Sequence, residues 1–295
     1  MVDGRSTATR ALAIAGALLL SGCASSGGHH PKASAASAPA APGVCVTAVP
    51  APAATAAVAP AVAPVDLSAW TLVLPTAKPG DPSVAEQLTP ARLTDPYLTQ
   101  GPGGRLDFWA PAGGATTAHS LHSRTELSAP RRFAPGTACH HLTESLAITR
   151  LPDVSHKITV GQLHGAGADE AAPFVMLAVQ GDSVDVAMET VPKPQGSVGS
   201  APAGEKILKY HLLSGVRLGT PFGYTIADNG NGSLTFAGDC AGTPGCQASP
   251  PVTAPVPPAW TGRSVHFMAG DYEQDDAATS HTGGGRLTCY ALTTD

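Results

Sequence analysis

Phe222-Gly223-Tyr224-Thr225-Ile226-Ala227 runs into Asp228-Asn229-Gly230-Asn231-Gly232 and leaves through Ser233-Leu234-Thr235-Phe236. Alternating apolar side chains flank a cluster of residues that tolerate positive φ, which is the signature of a β-hairpin. Working outward, short apolar or alternating runs recur at residues 70–74, 105–109, 155–163, 174–179, 183–188 and 206–213. Gly, Pro, Asp and Asn separate them, and amphipathic helical periods are scarce. Strands at this spacing predict an all-β fold, an antiparallel β-sandwich or jelly roll. The 33 glycines and 28 prolines suit a chain of many turns.

The 295-residue chain is 43% hydrophobic, enough for one sizeable core. Only 13% of residues are charged and the net charge is -5. Nucleic acid is therefore excluded as a partner, because phosphate binding rests on clustered Lys and Arg. An acidic polymer remains compatible, since a cleft can carry local positive charge on a mildly acidic protein.

Arg5 and Arg10 precede the apolar run 11–20, which is too short to span a bilayer and reads as an export signal. It ends in Leu20-Ser21-Gly22-Cys23, similar to a bacterial lipobox. The expectation is a lipoprotein-type signal over 1–22 and lipidation at Cys23, giving a secreted monomer held at the envelope by its lipid alone. Residues 23–64 are almost all Ala, Pro, Ser, Gly and Val and read as an extended tether. The folded domain is expected over 65–295. Export makes the remaining cysteines candidates for disulfides. Cys240 and Cys246 flank a short Gly/Pro loop and are expected to pair, with Cys139 and Cys289 as the second bridge and Cys45 free. No CxxC pair or HxxxH spacing suggests a metal, and no cofactor is expected.

Three further segments share a chemistry: Ser123-Arg124-Thr125-Glu126-Leu127, Gln162-Leu163-His164, and His266-Phe267-Met268-Ala269-Gly270-Asp271-Tyr272-Glu273-Gln274. Residues two apart on a strand share a face. Arg124 with Glu126, Gln162 with His164, and His266, Met268, Gly270, Tyr272 and Gln274 thus form polar stripes. Apolar filler such as Leu127, Leu163, Phe267 and Ala269 faces the other way. A sheet with one polar groove face and a packed back has this pattern.

These segments resemble the three signature motifs of the alginate lyases of polysaccharide lyase family 7, written R(S/T)EL, Q(I/V)H and YFKxGxYxQ. Asp66-Leu67-Ser68-Ala69-Trp70 and Leu106-Asp107-Phe108-Trp109-Ala110-Pro111 are similar to the flanking strands of that family. The resemblance covers the whole folded domain and implies a concanavalin A-like jelly roll with an open concave groove. Four departures stand out. Ser128 replaces a frequent basic residue, His266 and Met268 stand where Tyr and Lys are usual, and Leu163 replaces Ile or Val.

The resemblance implies β-elimination from a polyuronate such as alginate, in which the proton on C5 is removed and the oxygen on C4 is expelled. The adjacent carboxylate is already negative, so preorganised donors must first neutralise it. Arg124 supplies a planar cationic fork, Gln162 an amide and His164 an imidazole. Tyr272 is the expected base and acid on mannuronate, where proton and leaving group lie on one side. An ordinary tyrosine ionises near ~10, so that duty calls for a cation such as Arg124 beside it. On guluronate, His164 is the expected base and Tyr272 the acid. Glu126, His266 and Gln274 are the remaining substrate-side candidates, with Glu126 suited to orienting Arg124. Arg131-Arg132 and His140-His141 read as solvated turns near the groove, and Asp275-Asp276 as an acidic loop. A glycoside hydrolase would need two flanking carboxylates; Asp185 and Glu189 could share a strand face, but no tight acidic triplet surrounds them. A carbohydrate-binding jelly roll without catalysis would share the groove but needs no proton-transfer pair. A lyase for another polyuronate, such as glucuronan, would share the reaction.

Overall fold

The computed structural model describes Cys45 and residues 65–295, except 119, 168–171, 194–203, 205, 277 and 279. The signal and tether expected over 1–64, including Cys23, lie outside the described residues apart from Cys45. No α-helix occurs among the described residues. The strands are β1 Thr71–Lys78, β2 Asp81–Leu88, β3 Leu98–Gln100, β4 Leu106–Pro111, β5 Arg124–Ser128, β6 Cys139–Arg150, β7 Lys157–Gly165 and β8 Pro173–Gln180. They continue as β9 Ser183–Glu189, β10 Ile207–Ser214, β11 Phe222–Asn229, β12 Ser233–Asp239, β13 Gln247–Ala248, β14 Val252–Pro255, β15 Val265–Glu273 and β16 Gly284–Thr294.

Two antiparallel sheets result, as the strand spacing predicts. A nine-stranded sheet runs β13-β10-β9-β8-β7-β15-β5-β1-β2, and a seven-stranded sheet runs β14-β12-β11-β6-β16-β4-β3. The opening hairpin is β11–β12, with Asp228 facing Leu234 across the turn. Gly230 and Gly232 take φ 67 and 81 there, a conformation that glycine adopts without a Cβ penalty. Between the sheets Leu72, Leu127, Leu163 and Phe267 meet Phe108, Leu146, Ile226 and Phe236, all at most 2% exposed. Truncating one of these large side chains to Ala costs about 2–5 kcal/mol.

Two long strands escape the sequence runs. On β6 the inward positions include His140 and Glu144, 4% and 1% exposed, which interrupt the apolar alternation. On β16 a register shift between Cys289 and Ala291 breaks the two-residue period.

The cysteines pair differently from expectation in one respect. Cys240 and Cys246 are bridged as the loop suggests. Cys139, however, is bonded to Cys45, and Cys289 is a free, buried thiol. The reason lies in register: Cys139 faces Asn229 at one end of β6, whereas Cys289 faces Leu146 seven residues further along. At the rise of a β-strand that is about 23 Å, beyond the reach of a disulfide.

Candidate functional site

β5, β15 and β7 are adjacent in the nine-stranded sheet, so the three polar motifs become neighbours. Tyr272 pairs with Arg124 and Gly270 with Glu126 across β15–β5. Met268 pairs with Gln162 and His266 with His164 across β15–β7. The alternation places all of them on the outer face, with Leu127, Leu163, Phe267 and Ala269 beneath in the core.

Glu126 has 0% exposure and organises the centre. Its Oε2 accepts from Arg124 Nη1 at 3.0 Å, and its Oε1 accepts from Gln162 Nε2 at 2.5 Å. Burial pushes its carboxyl upward, against the Arg124 cation and both hydrogen bonds. The Arg124 guanidinium carbon lies 3.7 Å from the centroid of the Tyr272 ring, within range of a cation–π contact. Arg124 Nε and Gln162 Oε1 are buried with no partner among the described residues, groups that ordinarily find one.

His164 Nδ1 lies 3.1 Å from the carbonyl oxygen of Gly165. A carbonyl only accepts, so Nδ1 carries the hydrogen and the neutral ring leaves Nε2 with its lone pair. Burial, then the Arg124 cation, hold this imidazole down to about 4. It is therefore neutral and competent as a base near pH 7. His266, 5.9 Å away ring to ring, is held down to about 2 by burial, then by Arg132 and His164.

The structure thus brings together Arg124, Gln162, His164 and Tyr272 as expected. The other three candidates are placed less favourably for touching a ligand. Glu126 is sealed, and its two oxygens accept from Arg124 and Gln162. His266 is 5% exposed, so little of it faces the groove. Gln274 lies just past β15 and turns its amide onto the carbonyl of Tyr272, 3.2 Å away.

The reverse face is not purely apolar. Asp271 has 0% exposure and, among the described residues, accepts only from Ala110 N at 3.1 Å, and burial pushes its carboxyl well above the usual range. Asp275 is no loose acidic loop either. It is 1% exposed and accepts from Val154 N, Ser155 N and Ser280 Oγ, which fixes the chain leaving β15.

Three groups near the site carry no signal of spacing in the sequence. Ser120 Oγ lies 2.9 Å from the Tyr272 hydroxyl. The His122 ring sits edge-on to Tyr272, 6.0 Å between centroids, with Nδ1 donating to the carbonyl of Asp275 at 2.8 Å. Both belong to the β4–β5 connection, where no period can announce a contact. Arg132, which holds the carbonyl of Ala129 at 2.7 Å, is the cation whose field reaches His164 and His266. Met268 packs in a small apolar cluster with Val73, Ala85 and Ala115 on the groove side, so no cation occupies its position. Among the described residues, no three His, Cys, Asp or Glu side chains gather as a metal site.

A family model described as alginate lyase matches residues 65–295. No match was found among curated proteins. Among solved structures, alginate lyase PA1167 from Pseudomonas aeruginosa is similar, with TM-score 0.61 and 24% identity over 78% of this chain and 99% of that one. A product complex of alginate lyase A1-II' is similar at TM-score 0.61 and 25% identity, over 78% and 96% of the two chains. The alginate lyase from Klebsiella pneumoniae superimposes at TM-score 0.60 with 19% identity, over 78% and 95%. With the family model spanning the entire two-sheet domain and the three motif strands side by side, the chain belongs to the alginate lyase family of polysaccharide lyases.

Proposed function

We propose that the protein depolymerises alginate by β-elimination at the 4-O-glycosidic bond, with Arg124, Gln162, His164 and Tyr272 around one uronate. The single observation that carries this reading is the convergence of Arg124 and Tyr272, 3.7 Å apart, beside the Glu126-held amide of Gln162. In this account the guanidinium and the amide meet the uronate carboxylate and offset the charge that builds as C5 loses its proton. The C5–H bond breaks, a C4=C5 double bond forms, and the C4–O bond opens. On mannuronate Tyr272, as phenolate, takes the proton and returns it to the departing oxygen. On guluronate His164 Nε2 takes it from the other side and the Tyr272 hydroxyl protonates O4.

Glu126 keeps Arg124 and Gln162 aimed without touching sugar. Export and lipid anchoring at Cys23 belong to the same proposal, supported by Arg5, Arg10 and the Leu20-Ser21-Gly22-Cys23 sequence. An acidic polysaccharide outside the cytoplasm and a monomeric enzyme follow from it.

The test is digestion of polymannuronate, polyguluronate, mixed alginate and glucuronan, with products read by mass spectrometry. Unsaturated oligomers, lighter by one water than hydrolytic products, are expected from alginate. Saturated ends, or turnover of glucuronan alone, would overturn the proposal.

A further inference from the structure

We propose that Ser120 is a positioning residue for the reaction, a hydroxyl rotor that serves the Tyr272 oxygen in both of its protonation states. The inference rests on the elimination reading above and deepens it.

Three contacts meet at one oxygen. Ser120 Oγ lies 2.9 Å from the Tyr272 hydroxyl, accepts from His122 N at 3.0 Å and donates to the His122 carbonyl at 2.9 Å. A serine hydroxyl offers one hydrogen and two lone pairs. With its hydrogen on the His122 carbonyl, one lone pair holds the His122 amide and the other must accept the Tyr272 hydrogen. The neutral phenol is then a donor to Ser120, and its O–H direction is fixed. When Tyr272 is a phenolate it can no longer donate. Rotation about the Cβ–Oγ bond then moves the Ser120 hydrogen from the carbonyl to the phenolate oxygen, while the His122 amide stays bound. One single-bond rotation therefore pairs the phenol oxygen before and after proton transfer, and no heavy atom has to move.

Few other groups could replace it. The charged and titratable side chains beside Tyr272 are Arg124, which meets the ring face, and His122, which meets it edge-on. From β7 the register partner is Thr159, which is fully buried and whose Oγ1 makes no hydrogen bond to Tyr272 or to any other described residue. Of the described residues, only Ser120 is within hydrogen-bond distance of the phenol oxygen. The loop that carries it is itself anchored. Ala115 N donates to the carbonyl of Pro75, Ala85 N to that of Thr116, and Ser123 N to Glu273 Oε1. Ser120 is therefore held against Tyr272 by contacts that do not involve Ser120 itself.

The experiment compares the full-length parent, Ser120→Ala and Ser120→Thr on polymannuronate, recording kcat, KM and melting temperature. The expected result is a kcat about tenfold lower in Ser120→Ala, the scale of a hydrogen bond to a charged group. KM should stay within about twofold, because the proposed contact is to Tyr272 and not to substrate. Ser120→Thr, which keeps the hydroxyl, should recover most of the rate. Parent kcat in Ser120→Ala, an equal loss in the Thr variant, or a rise in KM with kcat intact would each overturn the inference. A parent that releases no unsaturated ends would remove the elimination reading and this inference with it. An active parent with an indifferent Ser120 would remove this inference alone.

Discussion

Arg124 lies over the face of Tyr272 with its guanidinium carbon 3.7 Å from the ring centroid, while its Nη1 is tied to Glu126 at 3.0 Å. The contact joins the group that would meet the uronate carboxylate to the group that would carry the proton. A planar cation is needed for both, because it stacks on the ring and presents a fork. Arg124→Lys keeps the charge and loses the plane. We expect kcat/KM to fall by about 10²-fold or more, the scale seen when a transition-state donor is lost. Steady-state kinetics on polymannuronate check it, and a drop of less than fivefold would contradict it.

Glu126 is completely buried between Arg124 and Gln162. Glu126→Gln removes the partner charge and leaves the guanidinium unneutralised in a dry site. Breaking a buried pair from one side costs about 3–5 kcal/mol. Urea unfolding should show a loss of that order, together with reduced turnover as Gln162 and Arg124 lose their common anchor. Unchanged stability with unchanged kcat would show that the bridge is dispensable.

His164 and His266 are held down to about 4 and about 2, chiefly by burial. Both folded values lie below the ordinary imidazole value near ~6.5, so the unfolded chain takes up protons first as pH falls. Their contribution to stability is complete above about 6.5 and is lost progressively toward pH 4. Melting temperature should therefore decline over that window, and less steeply in His266→Gln. Because His164 stays neutral across it, turnover of polyguluronate should show no loss centred near 6.5. A limb centred near 6.5 in the parent's polyguluronate profile would contradict the assignment.

Gly161 precedes Gln162 on β7, and a Cβ at this glycine would run into the Tyr224 phenol. That phenol is fixed, with Glu144 Oε2 at 2.7 Å and the Val160 carbonyl at 2.9 Å. Gly161→Ala must displace either the strand that carries Gln162 and His164 or the ring beneath it. Overpacking of this kind costs about 1–3 kcal/mol. Chemical denaturation of the variant measures it, and parent stability would show that the core yields more easily than this geometry allows.

Cys45 and Cys139 are bridged although 94 positions apart in sequence, and Cys289 is a buried thiol. A non-reducing peptide map should recover 45 with 139 and 240 with 246, and Cys289 should be alkylated only after denaturation. Loss of the long bridge in Cys45→Ser should cost about 2–4 kcal/mol, since it closes a large loop of the unfolded chain. A peptide linking 139 to 289 would overturn the register argument.

The residues differ in how far local pattern exposes them. The β11–β12 hairpin was legible because its turn residues and alternation agree. The convergence of Arg124, Gln162, His164 and Tyr272 was legible through strand facing and motif resemblance, and the strand order β7-β15-β5 supplies the adjacency that spacing alone lacks. β6 was hidden because Glu144 points into the core, where the Tyr224 hydroxyl donates to its Oε2. Asp271 was hidden for a similar reason, as a carboxyl at a position where period two calls for filler. The second disulfide depended on which ends of which strands meet, a fact of topology. Ser120, His122 and Arg132 lie outside the strands, where facing cannot be counted.

The most direct trial compares the parent with Tyr272→Phe on alginate, following absorbance of unsaturated uronate ends and, separately, oligosaccharide binding. Removing one oxygen deletes the proton carrier and little contact area. The expected result is steady growth of absorbance with the parent, none with the variant, and similar affinity in both. Near-parental turnover by Tyr272→Phe would contradict the claim that this phenol, beneath the Arg124 guanidinium, moves the proton.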